Sequence, residues 1–256
     1  MTLRSSSRWA WASRTSPSAG SCWSRPVPPE RESVLTSALD ETLSLARQAY
    51  LRIREGIIRG DHQPGSRLRE RDLSEALQMS RIPIREALRR LENEGYIVTY
   101  PNRGAVVSQL TLKDVAELFD LRLSLEVLAA RQAAAAIAEG RASTRLSEVL
   151  AEAGTATTAH DPAAIQLANT DFHAAVIEMS GNDLLIATMA PLLGRIRWLL
   201  ALTADRDPQV EYTEHVRLYD AILQGNPELA GAVAFAHIEH GRAPSLAALA
   251  EVLPPA

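Results

Sequence analysis

Three dipeptides, Asp161-Pro162, Asp207-Pro208 and Asn226-Pro227, limit what this chain can become more than any other feature. In each, a side chain able to accept hydrogen bonds from free backbone N–H groups stands directly before a proline, whose fixed φ and missing N–H suit the first helical position. They mark helix starts. Gly140, Gly181 and Gly225 fall where stops are needed, because glycine tolerates the left-handed conformation that closes a helix. With Thr111 and Asp114 opening a long first helix, the pattern divides the second half of the chain into helices over 111–138, 142–158, 162–180, 182–203, 208–224 and 227–248. An all-α bundle over residues 109–256 is the expected architecture.

Upstream, Leu43, Leu45, Ala46, Ala49, Tyr50, Ile53, Ile57 and Ile58 recur at three- and four-residue steps, which predicts an amphipathic helix from Glu41 to Arg59 stopped by Gly60. Two short helices follow a turn at His62-Gln63-Pro64-Gly65. Leu73, Ala76 and Leu77 mark the first, over 70–78, and Ile84, Ala87, Leu88 and Leu91 the second, over 82–94, with Gln78-Met79-Ser80-Arg81 between them. After Gly95 the period becomes extended: Tyr96 to Tyr100 and Ala105 to Ser108 flank a Pro101-Asn102-Arg103-Gly104 tip, a hairpin signature. Helix, helix-turn-helix and hairpin in this order describe a winged helix-turn-helix domain over 41–108. The expected fold is thus mostly α, an N-terminal winged helix-turn-helix followed by an all-helical bundle. Residues 1–40 read as a disordered tail, because the first 29 hold four Arg, no acidic residue and no periodicity, as translation from an upstream start would leave.

A chain of 256 residues that is 46% hydrophobic can bury a substantial core. No apolar run is expected to approach the roughly 18 to 20 uncharged residues of a membrane span, so no membrane partner is expected. Cys22 is the single cysteine, which excludes an internal disulfide or a thiolate zinc finger and suits a reducing cytoplasm. The net charge of −4 conceals a division: residues 45–108 carry 12 Arg against 8 Asp and Glu, whereas residues 109–256 carry 10 Lys and Arg against 19. A basic module on an acidic body points to a polyanion, and to double-stranded DNA first.

Arg81 and Arg85 stand four apart at the front of the second short helix and share one face. A recognition helix presents this end to base edges in the major groove, where a guanidinium fork matches the two acceptors of guanine. Arg71 lies beside them. Ser80 and the free N–H groups at the helix start are placed to hold a phosphate, Arg103 at the hairpin tip to enter the minor groove, and Gly104 to permit the turn. Arg89 and Arg90 suit phosphate or solvent. The competing reading is that Arg is the default cation here, Lys occurring once, and that these arginines form solvated pairs with neighbouring Glu.

The run from Ser80 through Arg81-Ile82-Pro83-Ile84-Arg85-Glu86-Ala87-Leu88 to Gly95, followed by Pro101-Asn102-Arg103-Gly104-Ala105-Val106-Val107, resembles the GntR family of bacterial transcription regulators. The likeness extends upstream through Ile57-Ile58-Arg59-Gly60 and Pro64-Gly65-Ser66-Arg67-Leu68 and covers about residues 47–108. It implies that Arg71, Arg81 and Arg85 contact an operator and that Gly104 approaches the minor groove.

In the second half, Asn169 and His173 are four apart on one predicted helix, a spacing that can chelate one ion. His215 and His237 sit on the last two helices, about ten residues back from the loop at Gly225-Asn226 on either side, so the two imidazoles lie at similar depth. From spacing alone these histidines are equally well read as satisfied polar groups in a helical core. Phe172-His173, Ser180-Gly181-Asn182, Glu214-His215 and His237 follow in order the pattern of the ligand-binding FCD bundle of the FadR-type branch. That resemblance implies a divalent metal held by His173, His215, His237 and Asn169, where the branch has Asp or Asn. Zinc suits the donors best, nickel next and manganese less. Asp171, two residues before His173, should point elsewhere. Arg122, Arg195 and Arg197 are the candidates to grip a small carboxylate effector, while His62, His160 and His240 are read as surface residues. The resemblance also implies a homodimer on an inverted repeat, most often a repressor. Two alternatives stand beside it: a metal-dependent hydrolase using the histidines, or a regulator whose ion is purely structural.

Overall fold

The computed structural model describes residues 29–202, 207–251 and 253–254, with side chains from residue 44 onward. Residues 1–28 lie outside that range, so the expectation of a tail there is not addressed, but residues 29–40 are helical. They open α1 (Pro29–Ile58), because proline stands at its first position and no glycine or proline interrupts the chain again before Gly56. The chain falls into two units, residues 1–41 and 42–256, and everything below concerns the second.

Its head comprises the rest of α1, then β1 (Arg67–Leu68), α2 (Glu70–Leu77), α3 (Arg81–Asn93), β2 (Ile97–Tyr100) and β3 (Gly104–Val107). The hairpin pairs Ile97 with Val107 and Tyr100 with Gly104. Sequence periodicity missed β1, a two-residue strand too short to show alternation, which pairs antiparallel with β3 to give the order β1-β3-β2. Ile53, Ile57, Ile84, Leu91, Tyr96 and Ile97, all nearly inaccessible, form the centre of the head's core.

The bundle comprises α4 (Leu112–Ala138), α5 (Thr144–Ala159), α6 (Pro162–Met179), α7 (Asp183–Ala201), α8 (Pro208–Leu223) and α9 (Pro227–Leu249). Its starts follow the expected chemistry. Asp161 accepts from the N–H groups of Ala163 and Ala164, Asn226 from those of Glu228 and Leu229, and Thr111 and Asp114 cap α4 reciprocally. Ala129, Ala130, Ala133, Ala134 and Ala136 are wholly buried along α4, and such short side chains let α9 approach closely.

Among the described residues α7 is long and apolar enough to cross a membrane by length and composition, but Asp183, Arg195 and Arg197 break it, so no uncharged run reaches the length of a span. Its composition has a different use here. Leu185, Met189, Ile196 and Leu199 enter the bundle core, while Trp198 is buried in the core of the head. Tyr96 stacks on Trp198 with ring centroids 5.6 Å apart, and Gly194 leaves room for the Tyr96 hydroxyl, which a Cβ there would strike.

Candidate functional site

One face of the head is built by α3. Ser80 caps it in an extended conformation without using its hydroxyl, so both the hydroxyl and the first-turn N–H groups stay available. Ile84, Ala87, Leu88 and Leu91 bury one side of α3, which leaves Arg81, Arg85 and Arg89 exposed on the other. Arg85 donates through Nε to both oxygens of Glu70, at 2.8 and 3.0 Å, and Arg89 pairs with Glu86 at 2.7 Å. Arg71 lies 3.5 Å from Asp72 and 3.8 Å from Glu75. Arg103 is exposed at the wing tip, where Asn102 and Gly104 have φ of +65° and +73°. That conformation explains why glycine is required at 104.

Between α3 and the wing runs a groove of about 680 Å³ lined by Arg67, Arg69, Arg85 and Arg89. Arg67 and Arg69 escaped the sequence reading, although they flank buried Leu68 in the exposed-buried-exposed order of a strand. The sequence-expected residues Arg71, Ser80, Arg81, Arg85, Arg103 and Gly104 all belong to the α2–α3 pair or the wing beside this groove.

In the bundle, His173 on α6, His215 on α8 and His237 on α9 converge, with one ligand nitrogen from each within 4.8 Å of the others, and all three are buried. Phe172 stacks on His215 at 4.5 Å between centroids. Two acids that the sequence reading did not single out stand behind them. Glu126 Oε2 is 2.8 Å from His173 Nδ1, and Glu214 Oε2 is 3.0 Å from His237 Nδ1. A neutral imidazole that gives its Nδ1–H to a carboxylate presents a lone pair at Nε2. The Nε2 atoms of His173 and His237 are 3.4 Å apart, close enough to share a proton or to ligate one cation. For nitrogens about 2.0 to 2.1 Å from one tetrahedral ion the expected separation is roughly 3.3 Å, which the His173–His237 pair matches, and with His215 inside the same 4.8 Å cluster the donor types suit a divalent metal. His237 is held below the usual imidazole value, first by burial and, against the Glu214 hydrogen bond, by its neighbours His173 and Arg122.

Arg122, expected to grip an effector carboxylate, instead grips the chain's own: its Nε donates to Glu126 Oε1 at 2.7 Å, with both side chains about 5% exposed. A carboxylate so buried requires a partner. Burial alone would raise the Glu126 carboxyl, but Arg122 and His173 outweigh it and hold the group well below the usual carboxylate range. An acid depressed in the folded state stabilises fully above its unfolded value near 4.5 and loses that contribution as pH falls toward the folded value. The difference in urea midpoint between the wild type and Glu126→Gln is therefore expected to hold between about pH 7 and 5 and to shrink below about 4.5. A pH-independent difference would mean that the charge contributes nothing.

Arg195 and Arg197 make their described contacts at the junction with the head. Arg197 makes two hydrogen bonds to Glu55 of α1, at 2.7 and 2.8 Å, and Arg195 lies against Gly95. Both serve the junction of α7 with the head because α7 turns that side toward it. Asn169, one turn before His173, is buried and lines a cleft of about 400 Å³ with Gln166, Leu200, Ile58 and Arg59, so the cleft has one wall from each part of the unit. Asp171 points away, 3.9 Å from Arg145, and His240 is exposed as expected, with its Nδ1 paired to Glu214.

Two family models match the sequence: bacterial regulatory proteins of the gntR family over residues 45–107, and the FCD domain over 117–240. The HTH-type transcriptional regulator YdhC of Bacillus subtilis (strain 168) is 30% identical over 206 residues, covering 79% of this chain and 91% of its own. The Nta operon transcriptional regulator of Aminobacter aminovorans is 27% identical over 177 residues, covering 69% and 83%. Among solved structures, a GntR transcriptional regulator from Rhodococcus sp. RHA1 matches with a TM-score of 0.68 at 25% identity, covering 80% of this chain and 98% of its own. These relatives are regulators rather than enzymes, so the hydrolase alternative is set aside.

Proposed function

Because the chain belongs to the GntR family of bacterial transcription regulators and carries an FCD domain, we propose that it is a cytoplasmic repressor that binds an inverted-repeat operator as a homodimer and is controlled by a small organic acid at a metal-containing site. The observation that carries the sensing part is the facing pair of Nε2 atoms, 3.4 Å apart, each imidazole backed by a carboxylate. His173, His215 and His237, with Asn169 as the oxygen donor, would hold the ion, zinc by donor chemistry with nickel or manganese as the other divalent choices. Bound there, it would supply positive charge for an anionic effector.

The chain's own residues do the rest. Glu126 and Glu214 fix the ring orientations and keep Nε2 free of a proton, and Arg122 holds Glu126 ionised. On the head, Arg81 and Arg85 read bases, Arg71, Ser80 and Arg103 position the duplex, and Gly104 lets the wing backbone approach it. Sensor and head communicate through α6 and α7: Gln166, three residues before Asn169, donates to the Arg197 carbonyl, and Arg197 holds Glu55. An effector must discriminate between two placements of the head, and coupling of this kind is typically about 1 to 3 kcal/mol.

Elemental analysis of the purified chain and of His215→Ala tests the ion. The wild type is expected to carry about one ion per chain and the variant almost none, with helical content retained, since removing one of three imidazole donors leaves too few. An unchanged metal content in the variant would eliminate the histidine site. Thermal response to the metal with none to a carboxylate library would leave the ion structural only.

A further inference from the structure

The arginine-lined groove beside α3 contains two acids, Glu70 and Glu92. Glu92 has a backbone duty, accepting the Thr99 N–H at 3.0 Å and tying α3 to β2. Glu70 sits at the first position of α2, where the helix dipole favours a carboxylate, and it receives Arg85 Nε on both of its oxygens. A carboxylate on a surface that meets phosphate weakens binding to every sequence alike. Its value has to lie in something other than affinity.

We infer that Glu70 is the positioning residue for Arg85: by taking Nε it fixes the plane of the guanidinium and leaves the two terminal nitrogens, which carry no hydrogen bond among the described residues, turned to a base edge. Two parallel N–H donors in a fixed plane are what guanine O6 and N7 accept, whereas an unrestrained arginine also finds phosphates at any sequence. Arg89 is held through a terminal nitrogen, Arg71 through Nε only at 3.5 and 3.8 Å, and Arg90 through Nε by a single oxygen of Glu94 at the far end of α3, so Arg85 is the one at the front of α3 whose Nε is closed on both oxygens of one acid. The inference rests on Arg85 reading a base, and the test separates the two.

The full chain and its Arg85→Ala, Glu70→Ala and Glu70→Asp variants each select from a pool of randomised duplexes, followed by titration of the selected and a scrambled duplex over a range of salt. Arg85→Ala is expected to lose preference at one base pair per half-site. Glu70→Ala should lose it at that same pair, with the ratio of selected to scrambled affinity falling about five- to tenfold while binding to scrambled duplex is unchanged or stronger. Glu70→Asp keeps the charge at the start of α2 but is one methylene short of Arg85, so it should melt like the wild type and discriminate like Glu70→Ala. Retained preference in Arg85→Ala overturns the base reading itself, as does a wild type that selects no duplex. Loss in Arg85→Ala with full preference in Glu70→Ala overturns the role of Glu70 alone. Full rescue by Glu70→Asp shows that the acid serves α2 rather than Arg85, and overturns it too.

Discussion

Arg81→Ala is expected to remove about 1 to 3 kcal/mol of discrimination between the cognate duplex and a scrambled one, while weak, salt-dependent binding survives. Arg81 is the first residue of α3 and is exposed, at the end that a recognition helix turns to base edges under the proposed function. A phosphate contact behaves differently on removal: affinity drops by a similar factor at every sequence, and the salt slope falls by about one. Titrating both duplexes across ionic strength distinguishes the cases. A preserved ratio with a shallower slope would move Arg81 from the bases to the backbone.

Trp198→Ala should cost about 3 to 5 kcal/mol, the usual range for truncating a large buried aromatic. The residue is 2% exposed and belongs to α7, yet it packs in the core of the head against Tyr96. Its loss is felt on both sides. The wild type is expected to unfold in one urea transition and the variant in two, as head and bundle part company, with Trp198→Phe restoring most of the cooperativity. A single unshifted transition in Trp198→Ala would show that the head is held by other contacts.

Helix boundaries were legible because they are written in local chemistry. Asx-Pro starts and glycine stops placed α6, α8 and α9 to within a residue or two, since capping depends on neighbours along the chain. The start of α1 was missed because the acid-free, aperiodic first 29 residues were extended as a tail to residue 40, although Val34, Leu35, Ala38 and Leu39 continue the three- and four-residue steps upstream of Glu41. His215 and His237 could be paired by their depth from the α8–α9 loop, and His173 joined them through the likeness to the FCD pattern, but the acids behind them could not be found. Glu214 precedes His215 by one residue and so points to a different side of α8, where it meets His237 and His240 of another helix. Arg122 and Glu126 stand four apart on α4, and only their burial shows that the pair closes on itself. Arg195 and Arg197 were read as sensor residues because the charge pattern of a helix does not tell which neighbour it faces.

The Trp198 and Arg197 attachments leave the head no slack tether. In a two-fold dimer such heads can be no freer than the frame that carries them, so the distance and the rotation between the two half-operators become a property of the protein. One inserted base pair turns the second half-operator by roughly 34° about the duplex axis, more than a bolted head can follow, and such a chain would tolerate a changed base better than a changed spacer.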